Sequence, residues 1–310
     1  MQPNTLPEML SVDSRHLEPL VLRLRSRKAS DDDTEDQRAR DPKEASLNYF
    51  REINTEERPY DLVKNVAVLR LRGYLAKRGW WCDCGLDRFS DLVRFAADDY
   101  AVDTILIDCD SPGGSVYGCA DCSDVIYAAR QQKRIITVVN DLCASAALWV
   151  GSAAHEIVVT QSGDIGSIGV YQMRVDVTEA LANEGVKVDI VRAGEQKAWG
   201  SPFLPMTPEE RKVMQDEVDT IYQTFIDVVA RNRGVDSGRV RSDWADARIF
   251  TGQEAVNVGL ADRVASFDQV LAELVGRPVI TGAEKDGQAS PDWNQLTRHR
   301  RWSGSVRRRR

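Results

Sequence analysis

The sequence predicts an α/β protein in which strands of one sheet are joined by crossover helices. Three observations predict it. Short β-branched apolar runs, residues 104–108 (TILID) and 135–139 (IITVV), have the length and composition of buried strands. Segments with helical spacing separate them, so strand and helix alternate along the chain. Strands also run into glycine-rich stretches, at Ser111–Gly114 and again between Gly163 and Gly169, as strand ends do where open α/β sheets bind ligands.

Residues 1–59 read as peripheral. Residues 30–44 (SDDDTEDQRARDPKE) are almost wholly charged and have nothing to bury, so a flexible arm or linker is expected, the alternative being a segment that orders on a partner. Order begins near Val63, and residues 60–276 form the expected folded domain. Residues 65–72 alternate apolar and polar with period two and end at Gly73, a strand. Residues 85–99 place Leu86, Phe89, Leu92, Val93 and Ala96 on one helical face. The 104–108 strand then enters a loop from Cys109 to Val116. Helix is expected over 117–132, strand over 135–139, helix after Ser145 and strand over 155–160. A loop over 161–170, a helix over 175–184 and a strand over 186–192 follow. Thr207 with Glu210 fits a capping box, with Pro208 in the first turn and an apolar stripe of Val213, Val218, Ile221, Phe225 and Val228 or Val229. Residues 249–255 open another helix. Residues 277–310 turn polar and irregular.

Composition narrows the class. A 42% hydrophobic fraction in 310 residues is enough for a proper core. No run approaches the roughly 20 apolar residues of a membrane span, and the first residues lack a secretory signal, so a soluble intracellular protein is expected. Cys82, Cys84, Cys119 and Cys122 could supply four thiolates to zinc, but the C-x-C spacing is unusual for such sites. They read as ordinary reduced cysteines, with no metal. The net charge of −7 conceals seven arginines and no acid between Arg298 and Arg310. That tail suits an anionic partner; with no aromatic beyond Trp302, it fits nonspecific phosphate or protein contact rather than sequence recognition.

Three places carry candidate chemistry. Ser145 lies at a strand-to-helix junction among small residues, where unpaired N–H groups at a helix head could stabilise an oxyanion. In Ser111-Pro112-Gly113-Gly114 the proline fixes one φ, and the glycines let another chain approach the backbone. Lys197 is flanked by Gly, Ala, Trp and a Ser-Pro turn; in apolar surroundings its ammonium would lose hydration and could serve as a base. Alone, each has a plainer reading: a small-residue helix start, a tight turn and a surface lysine. The only histidines are His16, His155 and His299, so a Ser-His-Asp triad is hard to assemble, whereas a Ser–Lys dyad follows the same logic. Cys143 is a rival nucleophile with no histidine placed to activate it.

Taken together, Asp110-Ser-Pro-Gly-Gly-Ser115, the Ala-Ser-Ala-Ala segment at 144–147, Gly166-Ser-Ile-Gly169, Ala193-Gly-x-x-Lys197 with Ser201-Pro202, and residues 222–234 resemble the S49 serine peptidases. These comprise bacterial signal peptide peptidase A and the head-maturation proteases of tailed phages. The resemblance spans residues 65–274. It implies a ClpP/crotonase-like spiral of β-β-α units that assembles into homo-oligomeric rings or domes. It further implies Ser145 as nucleophile, Lys197 as general base, Gly113 or Gly114 with the Ala146 N–H as oxyanion hole, and Ser167 orienting the lysine. No cofactor is implied. Many relatives have Ser-Gly-Gly where this chain has Ser145-Ala146-Ala147, which narrows the site. Gly166-Ser-Ile-Gly-Val-Tyr171, Thr251-Gly-Gln-Glu-Ala255 and Gly259-Leu-Ala-Asp262 look like phage or prophage capsid proteases. The expected role is trimming capsid or scaffold protein during head assembly, in the host cytoplasm or inside a prohead. A cytoplasmic peptidase like signal peptide peptidase is the alternative. The same fold also serves acyl-CoA chemistry of crotonase type and inactive capsid assembly proteins.

Overall fold

The computed structural model describes residues 9–12, 58–79 and 84–276. In chain order its strands and helices begin with β1 (Met9–Val12), β2 (Asp61–Val63), β3 (Val66–Ala76), β4 (Cys84–Gly85), α1 (Leu86–Asp98) and β5 (Thr104–Ser115). Then come α2 (Cys119–Ala129), β6 (Arg134–Ala144), α3 (Ala146–Gly151), β7 (Glu156–Val159), β8 (Asp164–Gly166) and β9 (Tyr171–Gln172). Last are α4 (Thr178–Asn183), α5 (Pro208–Arg233), α6 (Ser237–Arg239), β10 (Ile249–Thr251), α7 (Gln253–Asn257), β11 (Arg263–Val264) and α8 (Phe267–Leu274).

The sheet is mixed and mostly parallel. β3, β5 and β6 lie side by side in parallel, and β6 splits its far edge between two partners. Ile136–Val139 pair with β7 and Leu142–Ala144 with β8. The unbroken apolar runs of these strands follow from burial on both faces. With a side-chain period of two, Ile105, Ile107, Ile135 and Val139 enter one core beneath α1, α2, α3 and α5. Leu106, Ile136 and Val138 enter a second core with Val270 and Leu271 of α8. Among the described residues no helix is long and apolar enough to cross a membrane.

Five expectations are corrected. β3 does not stop at Gly73: it bulges there, at φ 69°, and continues to Ala76 because Tyr74 and Leu75 find partners in Gly113 and Gly114. For the same reason the Ser-Pro-Gly-Gly stretch is the extended end of β5 rather than a loop. Residues 249–251 are strand β10 against β8, and the helix begins only after Gly252. Residues 186–192 form no strand: they pair with no strand among the described residues, and Val186, Val188, Ile190 and Val191 are exposed. The helix expected over 175–184 shortens to α4.

α5 starts as its sequence predicts, the Thr207 hydroxyl accepting from the Glu210 N–H at 3.1 Å and Gly234 closing it at φ 65°. The box is only half made, because the Glu210 carboxylate turns away to accept from the Gly200 N–H at 2.6 Å. Further along α5, fully buried Phe225 stacks on Trp149 of α3, with centroids 4.5 Å apart and planes 8° from parallel. That contact holds the helix that follows Ser145. Phe225→Ala is expected to lower stability by about 3–5 kcal/mol in urea unfolding, with the m-value unchanged.

Candidate active site

Ser145 is placed by a strand that must stop. β6 pairs with β5, across a register shift between Cys109 and Ser111, as far as the Cys143–Ser111 pair, and with β8 as far as the Ala144–Gly166 pair. There the chain turns sharply: Ser145 takes φ 57° and ψ −121°, a conformation that costs a side-chain-bearing residue about 1–3 kcal/mol. The Ser145 N–H donates to the Gly166 carbonyl at 2.8 Å, which fixes the turn, and α3 begins at the next residue. A serine on such a strained strand-to-helix turn is presented by the backbone rather than by a flexible loop. Ser145 is 1% exposed and Ala146 fully buried. At the head of α3 the first N–H groups have no carbonyl one turn back to bond, so the Ala146 N–H has no intrahelical partner.

The same hydrogen bond that fixes Ser145 brings Ser167 beside it, one residue past Gly166. Ser167 also has a left-handed backbone, φ 57°, and its N–H donates to the Arg248 carbonyl at 2.6 Å. Gly166 has to be glycine: at φ 137° a Cβ would overlap the Arg248 carbonyl. On the other side, the Cys143–Ser111 pair sets Gly113 and Ser145 each two residues beyond one rung of parallel sheet. Gly114 passes so close to β3 that a Cβ would overlap the Leu75 carbonyl. Ser145, Ser167, Gly113, Gly114 and Ala146 are therefore gathered around the end of one strand pair.

Lys197 is elsewhere in character. It lies on a 3-10 turn, Glu195–Ala198, and is exposed. No hydrogen bond joins it to Ser145 or Ser167 among the described residues. What anchors its neighbourhood is a buried ion pair between Arg174 and Glu210, at 3.4 Å. Arg174 also donates to the carbonyls of Ser201 (2.7 Å) and Leu204, and Glu210 accepts from Gly200. The turn that carries Lys197 is thus tied to the start of α5, while the preceding segment exposes Met173, Val175, Val186, Val188, Ile190 and Val191.

Sequence reasoning missed three participants. Ser111 donates its hydroxyl to the Gly73 carbonyl at 2.7 Å and accepts the Gly113 N–H at 3.2 Å, so it shapes the glycine stretch. A serine two residues before a glycine is an ST-turn signal that was available. Arg174 and Glu210 carried no local signal, because an ion pair 36 residues apart depends on the fold. His155 is no candidate base. Its Nδ1 accepts the Ile135 N–H at 3.1 Å, burial lowers its pKa, and the length of β6 separates it from Ser145 by about 30 Å. Cys143 lies in β6, 1% exposed, and its contact with Cys109, together with burial, pushes the Cys109 thiol well up. Cys119 and Cys122 are buried on α2, each raised by burial, Cys122 to about 12. Among the described residues no cluster of metal-binding side chains occurs; Cys82, His16, His299 and the arginine tail lie outside them.

Comparison with known proteins gives the site a context. Residues 128–276 match the model of peptidase family S49. The chain is 34% identical over 222 residues to the head-tail preconnector protein GP5 of Enterobacteria phage P21, covering 70% of this chain and 44% of that protein. It is 33% identical over 224 residues to the capsid assembly protease C of Escherichia phage lambda, covering 71% and 51%. It is 30% identical over 196 residues to a putative signal peptide peptidase SppA of Enterococcus faecium, covering 63% and 57%. The chain thus spans about half the length of the two phage relatives.

Proposed function

We propose, for a chain whose residues 128–276 match peptidase family S49, a serine endopeptidase with a Ser145–Lys197 dyad that processes capsid or scaffold protein during phage head assembly. The observation that carries it is the strained, buried turn at Ser145, with Gly113, Gly114 and Ala146 around it. In this reading the Ser145 hydroxyl attacks a peptide carbonyl, and the Ala146 N–H with that of Gly113 or Gly114 holds the oxygen as it gains charge. Ser145 loses its proton to the Lys197 amine, which later delivers it to the leaving amine; water then releases the acyl group from Ser145. Ser167 orients the lysine.

A lysine can serve as base only when its ammonium is desolvated. The exposed position of Lys197 in one chain does not provide that, and the apolar residues exposed ahead of it on the same segment supply the reason to expect a second copy. In a ring or dome, a neighbour covering the 173–203 segment would dry the lysine and bring it to a serine. The ClpP/crotonase-like spiral belongs to the same proposal, supported by the parallel β3–β5–β6 core with α1, α2, α3 and α5 on one face and α8 on the other. The substrate assignment rests on the phage relatives, the capsid assembly protease above all. The test is cleavage of unfolded casein and of a phage capsid protein by the purified chain, followed on gels. Discrete products at neutral pH support it, and intact substrates under all assembly conditions overturn it.

A further inference from the structure

β5 has two edges. At Gly113 and Gly114 one edge is taken by Tyr74 and Leu75 of β3. The other belongs to β6 only as far as Ser111, because β6 leaves the sheet at Ser145. The edge it vacates is filled by β1, antiparallel, with Val12 opposite Gly113, Ser11 opposite Gly114 and Leu10 opposite Ser115. On its far side β1 pairs with β9, Leu10 with Tyr171 and Met9 with Gln172. Among the described residues β9 joins the sheet through β1 alone. A strand of the chain's own N-terminal region thus lies sandwiched beside the candidate nucleophile, its Val12 end next to the place where β6 turns away.

We infer that the β5 edge at Gly113–Ser115 and the β9 edge at Tyr171–Gln172 form a slot for one extended polypeptide strand, and that Met9–Val12 fills it as a displaceable occupant competing with substrate. The backbone ladder accepts any sequence in extended form, so the occupant need not resemble a cleavage site. A second observation marks the fit as incomplete. The Tyr171 hydroxyl and the Gln172 side-chain oxygen, both on β9, are buried with no hydrogen-bond partner among the described residues. A polypeptide that offers polar groups at those positions recovers bonds that the present occupant leaves unmade, and so exchanges for it. The slot is a polypeptide site whatever its chemistry; the competition with substrate rests on the peptidase reading.

The experiment uses the full chain carrying Leu10→Pro and Ser11→Pro. Neighbouring residues of a strand point their N–H groups to opposite edges, so the pair removes one donor on each side. Amide hydrogen exchange of residues 110–117 and 170–173 should rise about tenfold or more in the variant. Casein cleavage should rise about fivefold through a lower KM, as freeing the slot raises the binding-competent fraction. A synthetic peptide of residues 6–16 should reverse both changes. Unchanged exchange overturns the occupied slot. Faster exchange with unchanged cleavage by an active enzyme overturns the competition. If no form of the chain cleaves casein, the peptidase reading fails, and the exchange data with peptide binding decide the slot alone.

Discussion

Ser145→Ala is expected to lower cleavage of casein and capsid protein by about 10⁴-fold or more, the size of loss seen when a nucleophile is removed from a catalytic group that acts as a unit. The fold should survive. The turn is held by the backbone N–H donated to the Gly166 carbonyl and by the packing of α3 through Trp149. The variant should therefore unfold in one cooperative urea transition with the parent's m-value, which separates lost chemistry from lost structure. The assay also divides the competing readings. An inactive assembly protein would show no cleavage to lose, and an acyl-CoA enzyme would keep its activity without the hydroxyl.

Lys197→Ala should lose cleavage on a comparable scale, yet for a different structural reason, since Lys197 is exposed in the single chain and belongs to a turn held by Arg174 and Glu210. If a neighbouring copy supplies the lysine, mixing the two inactive variants restores activity. In a randomly mixed ring about a quarter of sites join an intact serine to an intact lysine, so recovery approaches about a quarter of the parent rate. Restored cleavage therefore assigns the dyad to two copies and no recovery assigns it to one. Full activity in Lys197→Ala removes the lysine from the mechanism.

Much of the sheet was legible because its strands are buried on both faces and spell themselves as apolar runs; β5, β6 and β7 each start within a residue of expectation, although β5 runs on to Ser115 and β6 to Ala144. Helices α1 and α5 were legible for the complementary reason, an apolar stripe in one and a Thr-Pro start with a Gly stop in the other. What failed was whatever depended on a partner far along the chain. Gly73 looked like a strand end until Gly113 and Gly114 gave Tyr74 and Leu75 something to pair with. Residues 186–192 have strand composition but pair with no strand among the described residues and leave their apolar side chains exposed, so pattern alone overstated them. At the candidate site, the small residues around Ser145 and the two glycines of β5 signalled close approach, and the structure gathers them. The left-handed backbone at Ser145 and Ser167 had no sequence signal, because serine carries no bias towards positive φ.

The most direct measurement is the covalent state of Ser145 during turnover. The assembled protein is given a peptide p-nitrophenyl ester, quenched in acid within the first turnovers, digested and read by mass spectrometry. The account predicts the acyl group on the Ser145 hydroxyl, absent from Ser145→Ala and strongly reduced in Lys197→Ala. An acyl group on Cys143, or steady release of p-nitrophenol with Ser145 unmodified throughout, would contradict it.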